Sequence, residues 1–279
     1  METLAGITLY EPDVHRLLEN IEAVYPQVDK LICVDNGSKN IKEIIDRIKW
    51  KYPDVEIVQN EENMGVAKAL NQMFLYAKEN GYEWVLTLDQ DSVCPENMMA
   101  EYKKYVGLEN VGVICPKTVD RNFEKEMQTE TPFDDVDKCI TSASLTRVET
   151  WERIGGFWEF LFIDFVDHDF CAKCIENKTR IIRVNSVKLL HELGNGEHHN
   201  FLGRRVTALN HSPFRKYYMV RNWIIYMKVH RDVIDYKKER NSYRFFYLKT
   251  LLFEKEKLQK LVQMLKGRRD GKRFIEMVK

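Results

Sequence analysis

Residues 66–92 read VAKALNQMFLYAKENGYEWVLTLDQDS, and they join a helical pattern to a strand pattern. Apolar residues recur at three- and four-residue spacing from Val66 to Ala77, which predicts a helix with one buried face. The apolar run Trp84–Leu88 then predicts a buried strand, and Asp89-Gln90-Asp91 follows it directly. A helix that leads into a buried strand is typical of βαβ units in a parallel sheet.

The same alternation continues on both sides of this segment. Strands are predicted at Leu4–Leu9, Lys30–Val34, Val55–Val58, Trp84–Leu88 and Val111–Cys115, with helical patterns between them. We therefore predict an α/β protein with a mostly parallel sheet that is flanked by helices. Ligands of such sheets bind at the carboxyl ends of the strands, so polar residues after each strand are the candidate site residues.

Composition narrows the class of protein. The chain has 279 residues, of which 44% are hydrophobic and 31% charged, enough for one large folded domain with an extension. Lys plus Arg and Asp plus Glu both number 43, and this neutral balance disfavours a nucleic-acid partner. No signal peptide and no 18-residue apolar run is evident, which favours a cytoplasmic location.

The acid pair Asp89 and Asp91 is the sharpest local signal. Two carboxylates at the end of an apolar strand repel each other unless a cation lies between them. Their hard oxygen atoms suit Mg²⁺ or Mn²⁺, and a metal that also carries a diphosphate would remove the repulsion. An ordinary turn that begins with an Asp side-chain hydrogen bond is the alternative interpretation.

A second acidic motif lies in residues 155–170, which read GGFWEFLFIDFVDHDF. At helical spacing, Asp164 and Asp167 are predicted to share a face, whereas Asp169 is not. A carboxylate beside aromatic rings can have its pKa tuned for proton abstraction. The alternative is an acidic helix N-terminus that complements the helix dipole.

Three weaker signals follow other predicted elements. Asp35 and Asn36 end a strand and could contact a base or a ribose, although a capped turn is as good an interpretation. Asn63 and Gly65 precede the helix that carries Asn71, where a helix N-terminus favours an anion. His191 ends a strand-like run and is a candidate metal ligand, or a structural hydrogen-bonding residue.

Taken in order, these segments resemble a known family. They read VDNGS (34–38), ENMGVAKALN (62–71), LDQDS (88–92), GGFWEFLFIDFVDHDFCAK (155–173), HELG (191–194) and FRKYYMVRN (214–222). The set is similar to family 2 glycosyltransferases, which have the GT-A fold, and covers residues 4–225. The forms LDQDS and IDFVDHDF look like the rhamnosyltransferase branch of that family.

The resemblance implies a metal-dependent, inverting glycosyltransferase with Asp167 as the general base. Val166 stands where the family's acidic motif usually has Glu, so Asp169 and Asp164 are alternative bases. Asp89, Asp91 and His191 are implied to hold Mg²⁺ or Mn²⁺. Substrate contacts are implied for Glu11, Asp35, Asn36, Asn63, Gly65, Asn71, Asp89, Gln90, Asp169, Arg215 and Arg221.

The implied donor is dTDP-rhamnose, with a UDP-hexose or UDP-galactofuranose as the alternative. The implied acceptor is a hydroxyl of a polysaccharide, an O-antigen or a lipid-linked oligosaccharide. A nucleotidyltransferase is disfavoured, because the first strand is not followed by a Gly-rich, basic loop. From another class, a non-catalytic nucleotide-sugar-binding protein would share these motifs.

We predict a catalytic domain over residues 1–225, with a nucleotide-binding half at about 1–115 and an acceptor half at about 116–225. Residues 117–138 are predicted to form a loop on the substrate side. Helices are predicted at 214–231 and 240–266. Residues 226–279 form a basic amphipathic tail, for which we expect contact with the inner face of the cell membrane, or packing on the domain or on a second copy in a homodimer.

Overall fold

The computed structural model describes residues 1–120, 131–191, 197–201 and 204–277. Within these ranges the strands are β1 Thr3–Leu9, β2 Lys30–Asp35, β3 Glu56–Gln59, β4 Trp84–Asp89, β5 Val111–Asp120, β6 Phe133–Asp135, β7 Ser144–Arg147, β8 Arg180–His191, β9 Glu197–Phe201 and β10 Arg204–Ala208. The helices are α1 Val14–Val24, α2 Ile41–Lys51, α3 Val66–Glu79, α4 Met98–Lys103, α5 Val148–Arg153, α6 Val166–Glu176, α7 Pro213–Val229, α8 Tyr236–Phe253 and α9 Lys257–Met277. Short 3₁₀ helices cover Tyr25–Gln27 and Glu159–Leu161.

The main sheet has the strand order β3-β2-β1-β4-β7-β5-β8-β6. Strands β3, β2, β1 and β4 are parallel, and β5 is parallel to β8. Strand β7 is antiparallel to both of its neighbours, β4 and β5, and β6 is antiparallel to β8 at one edge. The predicted mixed, mostly parallel sheet flanked by helices is therefore confirmed, and the five predicted strands are all present.

Two apolar layers cover the faces of the sheet, and the period-two pattern of the strands divides residues between them. In β2, Leu31 and Cys33 belong to the core beneath α1, α2 and α4, whereas Ile32 and Val34 belong to the core beneath α3 and α6. The apolar stripe predicted for α3 is buried from Ala67 to Ala77. Burial on both faces is why these strands read as continuous apolar runs.

The predicted loop at 117–138 is partly wrong. Strand β5 continues through Asp120, and β6 adds an edge strand at Phe133–Asp135. Arg180 and Arg183 of β8 hold β6 through ion pairs to Asp135 (2.8 Å) and Asp134 (2.7 Å). Asp134 and Asp135 are thus paired across strands, while residues 121–130, which carry most of the charges on which the loop prediction rested, lie outside the described part of the chain.

The predicted helix at 240–266 is two helices, because the backbone is extended at Glu254 and left-handed at Glu256. Helix α9 returns along α7, and the two approach closely at Gly267, where a Cβ atom would lie 2.4 Å from the carbonyl oxygen of Tyr217. Helix α7 itself runs across residue 225, where the tail was predicted to begin. None of the helices in the described ranges combines the length and apolar character needed to span a bilayer.

Candidate active site

The turn after β2 presents the buried carboxylate of Asp35. Its Oδ2 accepts hydrogen bonds from the backbone N–H groups of Gly37 and Ser38, each at 3.0 Å. Its Oδ1 is buried and has no hydrogen-bond partner among the described residues. Because a buried acceptor without a donor is costly, this oxygen suits an N–H or O–H group of a ligand.

Glu11 lies beside that turn, at the end of β1. Its backbone N–H donates to Ser38 Oγ at 2.8 Å, and its Oε1 accepts from the backbone N–H of Lys39 at 3.2 Å. The backbone of Glu11 is left-handed, with φ at 47°. The predicted residues Glu11 and Asp35 are therefore brought together at one corner of the sheet.

Asn36, Asn63 and Gly65 connect this corner to the start of α3. Asn36 Nδ2 donates to the carbonyl oxygen of Gly65 at 3.1 Å, and Asn63 Oδ1 accepts from the N–H of Gly65 at 3.0 Å. Gly65 has φ at +87°, and a Cβ atom there would lie 2.7 Å from the carbonyl oxygen of Phe162. These residues position the backbone that touches the second acidic motif.

The side-chain amide of Asn71 is fully engaged within the protein. Its Nδ2 donates to the carbonyl of Phe157 and to Glu159 Oε1, both at 2.9 Å. Its Oδ1 accepts from the N–H of Phe157 and from Trp151 Nε1, also at 2.9 Å. In this structure Asn71 ties α3 to the segment that leads into the acidic motif.

The Asp89–Ser92 turn at the end of β4 is held from several sides. Asn20 of α1 donates through Nδ2 to the carbonyl oxygen of Asp89 at 2.8 Å, and Gln90 Oε1 accepts from the N–H of Tyr10 at 2.8 Å. Ser142 Oγ donates to Ser92 Oγ at 2.6 Å and accepts from the N–H of Asp89 at 3.4 Å. Sequence reasoning missed Asn20 and Ser142, although a buried Asn between Leu17 and Ile21 was a detectable signal.

The carboxylate oxygens of Asp89 and Asp91 at this turn are suitable ligands for a hard divalent cation. Asp91 is exposed, and Asp89 is partly exposed at the strand end. Across the described ranges, no three His, Cys, Asp or Glu side chains are grouped as a metal site. Two carboxylates are nonetheless a suitable protein contribution for Mg²⁺ or Mn²⁺ when substrate phosphates and water complete the coordination. His191 ends β8, but its side chain lies outside the described part of the chain.

The second acidic motif begins with a strained backbone. Phe162, Asp164 and Phe165 all have left-handed conformations, with φ at 65°, 63° and 67°. Non-glycine residues rarely adopt this region, and such strain is concentrated at functional sites. Helix α6 begins only at Val166, so the prediction that Asp164 and Asp167 share a helix face is wrong. The bent backbone instead brings both carboxylates to the wall of one cavity.

Asp167 stands in the first turn of α6 and is paired with its neighbour. Its Oδ1 accepts hydrogen bonds from the backbone N–H and from Nδ1 of His168, both at 2.8 Å. Burial acts to raise the pKa of Asp167, but the charge and hydrogen bonds of His168 outweigh it and lower that pKa. Asp167 is consequently ionised at neutral pH.

The other two acids of the motif have different partners. Asp164 accepts two hydrogen bonds from the Arg215 guanidinium, at 3.3 Å from Nε and 2.6 Å from Nη2. Asp169 is 2% exposed and lies 2.9 Å from Nε2 of His230 and 2.8 Å from Nζ of Lys173. Asp169 therefore fastens α6 to the end of α7, away from the cavity that Asp167 lines.

Arg221 lies behind the strained segment. Its Nη2 donates to the carbonyl oxygens of Phe160 at 2.7 Å and Leu161 at 3.1 Å, and its guanidinium stacks 4.5 Å from the Phe160 ring. The neighbouring Asn222 donates to the carbonyls of Leu161, Ile163 and Asp164, each at 2.9 Å. This pair supports the bend and does not line the cavity.

The cavity beside Asp167 has a volume of about 500 Å³ and is closed on its other side by α7 and α8. Thr141 lines it, and the adjoining Ser142 contacts the Asp89–Ser92 turn. The carbonyl oxygen of Thr141 also accepts a hydrogen bond from Thr87 Oγ1 of β4 at 2.6 Å, so this side of the cavity lies near the end of β4 that carries the acid pair. Its remaining polar wall was not foreseen from the sequence and includes Lys216, Trp223, Glu239, Lys249 and Glu254.

A mostly parallel sheet, an acid pair at the end of a central strand and an ionised carboxylate at an adjoining cavity together define a glycosyltransferase of the GT-A fold. The chain belongs to glycosyl transferase family 2, whose family model matches residues 8–174. It is thus a nucleotide-sugar glycosyltransferase, as the motifs indicated.

Similar proteins agree with this assignment. The chain is 27% identical to the dTDP-rhamnosyl transferase RfbF of Shigella flexneri over 247 residues, which cover 80% of this chain and 79% of that one. Its fold is similar to S. aureus TarS 1–349, with a TM-score of 0.61 at 14% identity over 97% of this chain and 81% of that one. It is also similar to the mannosyltransferase PcManGT of Pyrobaculum calidifontis in complex with GDP-Man and Mn²⁺, with a TM-score of 0.61 at 15% identity over 95% and 73% of the chains.

Proposed function

We propose that the chain transfers L-rhamnose from dTDP-rhamnose to a hydroxyl of a saccharide or lipid-linked acceptor, with inversion at the anomeric carbon. The observation that carries this proposal is Asp167, an ionised carboxylate on the wall of a cavity that adjoins the acid-pair turn. Similarity to the Shigella flexneri enzyme over 80% of the chain supports the donor. A UDP-hexose or UDP-galactofuranose is the alternative donor.

In the proposed reaction, Asp167 accepts the proton of an acceptor hydroxyl that lies in the cavity. The hydroxyl oxygen forms a bond to the anomeric carbon from the side opposite the leaving group, and the bond from that carbon to the diphosphate breaks. His168 holds Asp167 through two hydrogen bonds and keeps the carboxylate charged, so that it is ready to accept the proton. Inversion follows because a single displacement occurs.

On the donor side, the unsatisfied Oδ1 of Asp35 would accept a hydrogen bond from the base or ribose, with Glu11 beside it. Asp89 and Asp91 would hold Mg²⁺ or Mn²⁺, which when bound neutralises charge on the departing diphosphate. Gln90 keeps this turn against the end of β1. Asn20 and Ser142 limit its movement from two further sides.

The surroundings of the three acids favour Asp167 as the base over its two neighbours. Asp169 is buried against His230 and Lys173, so an acceptor in the cavity could not reach it. Asp164 lines the cavity, but both of its oxygens accept from Arg215. Loss of Asp169 would therefore act through the packing of α6 on α7.

The donor assignment predicts selective protection from heat. The melting temperature should rise with dTDP-rhamnose and Mn²⁺, and rise less with UDP-sugars or when the metal is chelated. A ligand at 100 times its dissociation constant stabilises a folded protein by about 2.7 kcal/mol, which a thermal-shift measurement detects easily. Lack of protection by every nucleotide sugar, with metal present, would contradict a catalytic role and favour the binding-protein alternative.

The C-terminal helices carry an exposed apolar stripe with a basic border. On α9, Leu258, Val262 and Leu265 are 80%, 62% and 58% exposed, and on α8 Leu248, Leu251 and Leu252 are 42%, 44% and 43% exposed. The exposed basic residues around them are Lys255, Lys257, Lys266, Arg268, Arg269, Lys272 and Arg273. We propose that this face lies on the anionic inner surface of the cell membrane, and that residues 1–225 form the catalytic domain, whose cavity α8 covers.

Liposome binding tests this surface. Wild-type protein should co-sediment with phosphatidylglycerol vesicles, and Leu258→Asp with Val262→Asp should reduce the bound fraction at least several-fold, because both changes place charge in the apolar layer. Trp50→Asp, at an 87% exposed position on α2, is the matched control. Equal sedimentation of all three proteins would contradict the proposal, and loss of a dimer in the double variant would assign the stripe to a homodimer instead.

A further inference from the structure

The cavity wall formed by α7 and α8 contains a buried charge cluster that the proposed mechanism does not use. Lys216 Nζ lies 2.5 Å from Glu254 Oε1 and 3.1 Å from Thr250 Oγ1. Lys260 Nζ lies 3.1 Å from Glu254 Oε2. Both lysines are 1% exposed and Glu254 is 2% exposed. One buried carboxylate is therefore shared by two ammonium groups.

A third lysine adds to this excess of positive charge. Lys249 of α8 lines the same cavity, and among the described residues it has neither an ion pair nor a hydrogen bond. Burial lowers its pKa, and burial also lowers the pKa of Lys216 to about 8, against the opposing effect of Glu254. Three lysines therefore share the single carboxylate of Glu254. Uncompensated charge in a desolvated position is unfavourable, so the cluster lacks a second negative group.

The other charged groups of the cavity do not supply that partner. Asp164 is paired with Arg215, and Asp167 with His168. Glu239 accepts from Lys138 at 2.5 Å and from Trp223 Nε1 at 2.8 Å. His211 has its pKa lowered to about 4, chiefly by burial, and is neutral at pH 7. The positive charge thus remains at the lysine end of the cavity.

We propose that Lys249 and Lys216 form a subsite for an anionic group of the acceptor, a phosphate or a carboxylate carried near the hydroxyl that reacts. This inference rests on the proposed function, because it takes the cavity beside Asp167 as the acceptor site. A volume of about 500 Å³ leaves room for a sugar that contacts both Asp167 and the lysines. A neutral saccharide would leave the excess charge uncompensated.

Inorganic pyrophosphate and D-glucuronate are suitable probes for a phosphate and a carboxylate. EDTA is present so that neither probe binds through a metal at the nucleotide-sugar site. We expect at least one probe to raise the melting temperature of the full chain, and the responding probe tells phosphate from carboxylate. Lys249→Gln should weaken that binding about ten-fold, the effect of losing one charged hydrogen bond. Lys249→Arg should retain it, and Lys237→Gln, an exposed lysine on the same helix, should bind as wild type does.

Two results would overturn the subsite: no protection of the wild-type protein by either probe, or unchanged binding in Lys249→Gln. The melting temperature of each variant without ligand shows whether it is folded. Donor protection by dTDP-rhamnose with Mn²⁺, measured on the same proteins, should be equal in wild type and Lys249→Gln. Absence of donor protection in every protein would count against the proposed function and leave the anion result intact.

Discussion

Replacement of Asp167 by Asn should lower the rate of sugar transfer by about 10²–10⁴-fold, the usual contribution of a general base. The amide cannot accept the acceptor's proton, but its oxygen can still accept the N–H of His168, so α6 should keep its first turn. Donor binding should be unchanged, because the acid-pair turn and Asp35 are untouched. Steady-state transfer and donor-dependent melting, measured on one preparation, separate these two effects.

Two further variants serve as controls for Asp167→Asn. Asp232→Asn changes an exposed carboxylate after α7 and should behave as wild type does. Asp169→Asn should instead lower the melting temperature, because it removes a buried partner of His230. Near-normal transfer by Asp167→Asn would reject it as the base and move the role to Asp164.

The second large effect is expected from the acid pair. Asp89→Asn combined with Asp91→Asn should abolish the metal-dependent part of donor protection and lower transfer by at least about 10²-fold. The physical reason is that a metal at a phosphoryl oxygen supplies several kcal/mol of charge stabilisation, and each 1.36 kcal/mol is about a factor of ten in rate. Amide oxygens are far weaker ligands than carboxylates for such a cation.

Measurements with and without Mn²⁺ provide the comparison for that variant. Asp46→Asn, an exposed position on α2, serves as the control for a lost carboxylate. The double variant should melt at or near the wild-type temperature without ligand, because β4 is held mainly by its buried neighbours. If it still shows full Mn²⁺-dependent protection by the donor, the metal is held elsewhere and the assignment of the pair is wrong.

Local patterns in the sequence were sufficient for most strands and helices within residues 1–115. The strand of Trp84–Leu88 and the apolar stripe of α3 were predictable, because burial against a sheet gives apolar residues a regular spacing in the sequence. Likewise, the position of Asp35 and Asp89 at strand ends followed from the rule that parallel strands end at one edge. These predictions needed no knowledge of distant contacts.

The C-terminal third was less predictable. The break between α8 and α9 depends on Glu254, which turns inward toward Lys216, 38 residues earlier in the chain, and toward Lys260 of α9. The role of Lys249 was hidden for the same reason: a basic helix face predicts solvent exposure unless another element covers it. The sequence pattern alone does not say that α8 closes the cavity.

The second acidic motif was predictable in part: its presence followed from the sequence, but the role of each acid did not. Three acids within six residues indicated a functional site by themselves, because such a density of like charge near aromatic residues needs a reason. Asp164 and Asp167, but not Asp169, line the cavity because of the left-handed backbone at Asp164 and Phe165 and the partners Arg215, His168 and His230. Periodicity fixes which residues share a regular element, whereas side-chain roles at a bend depend on contacts that only the folded chain brings together.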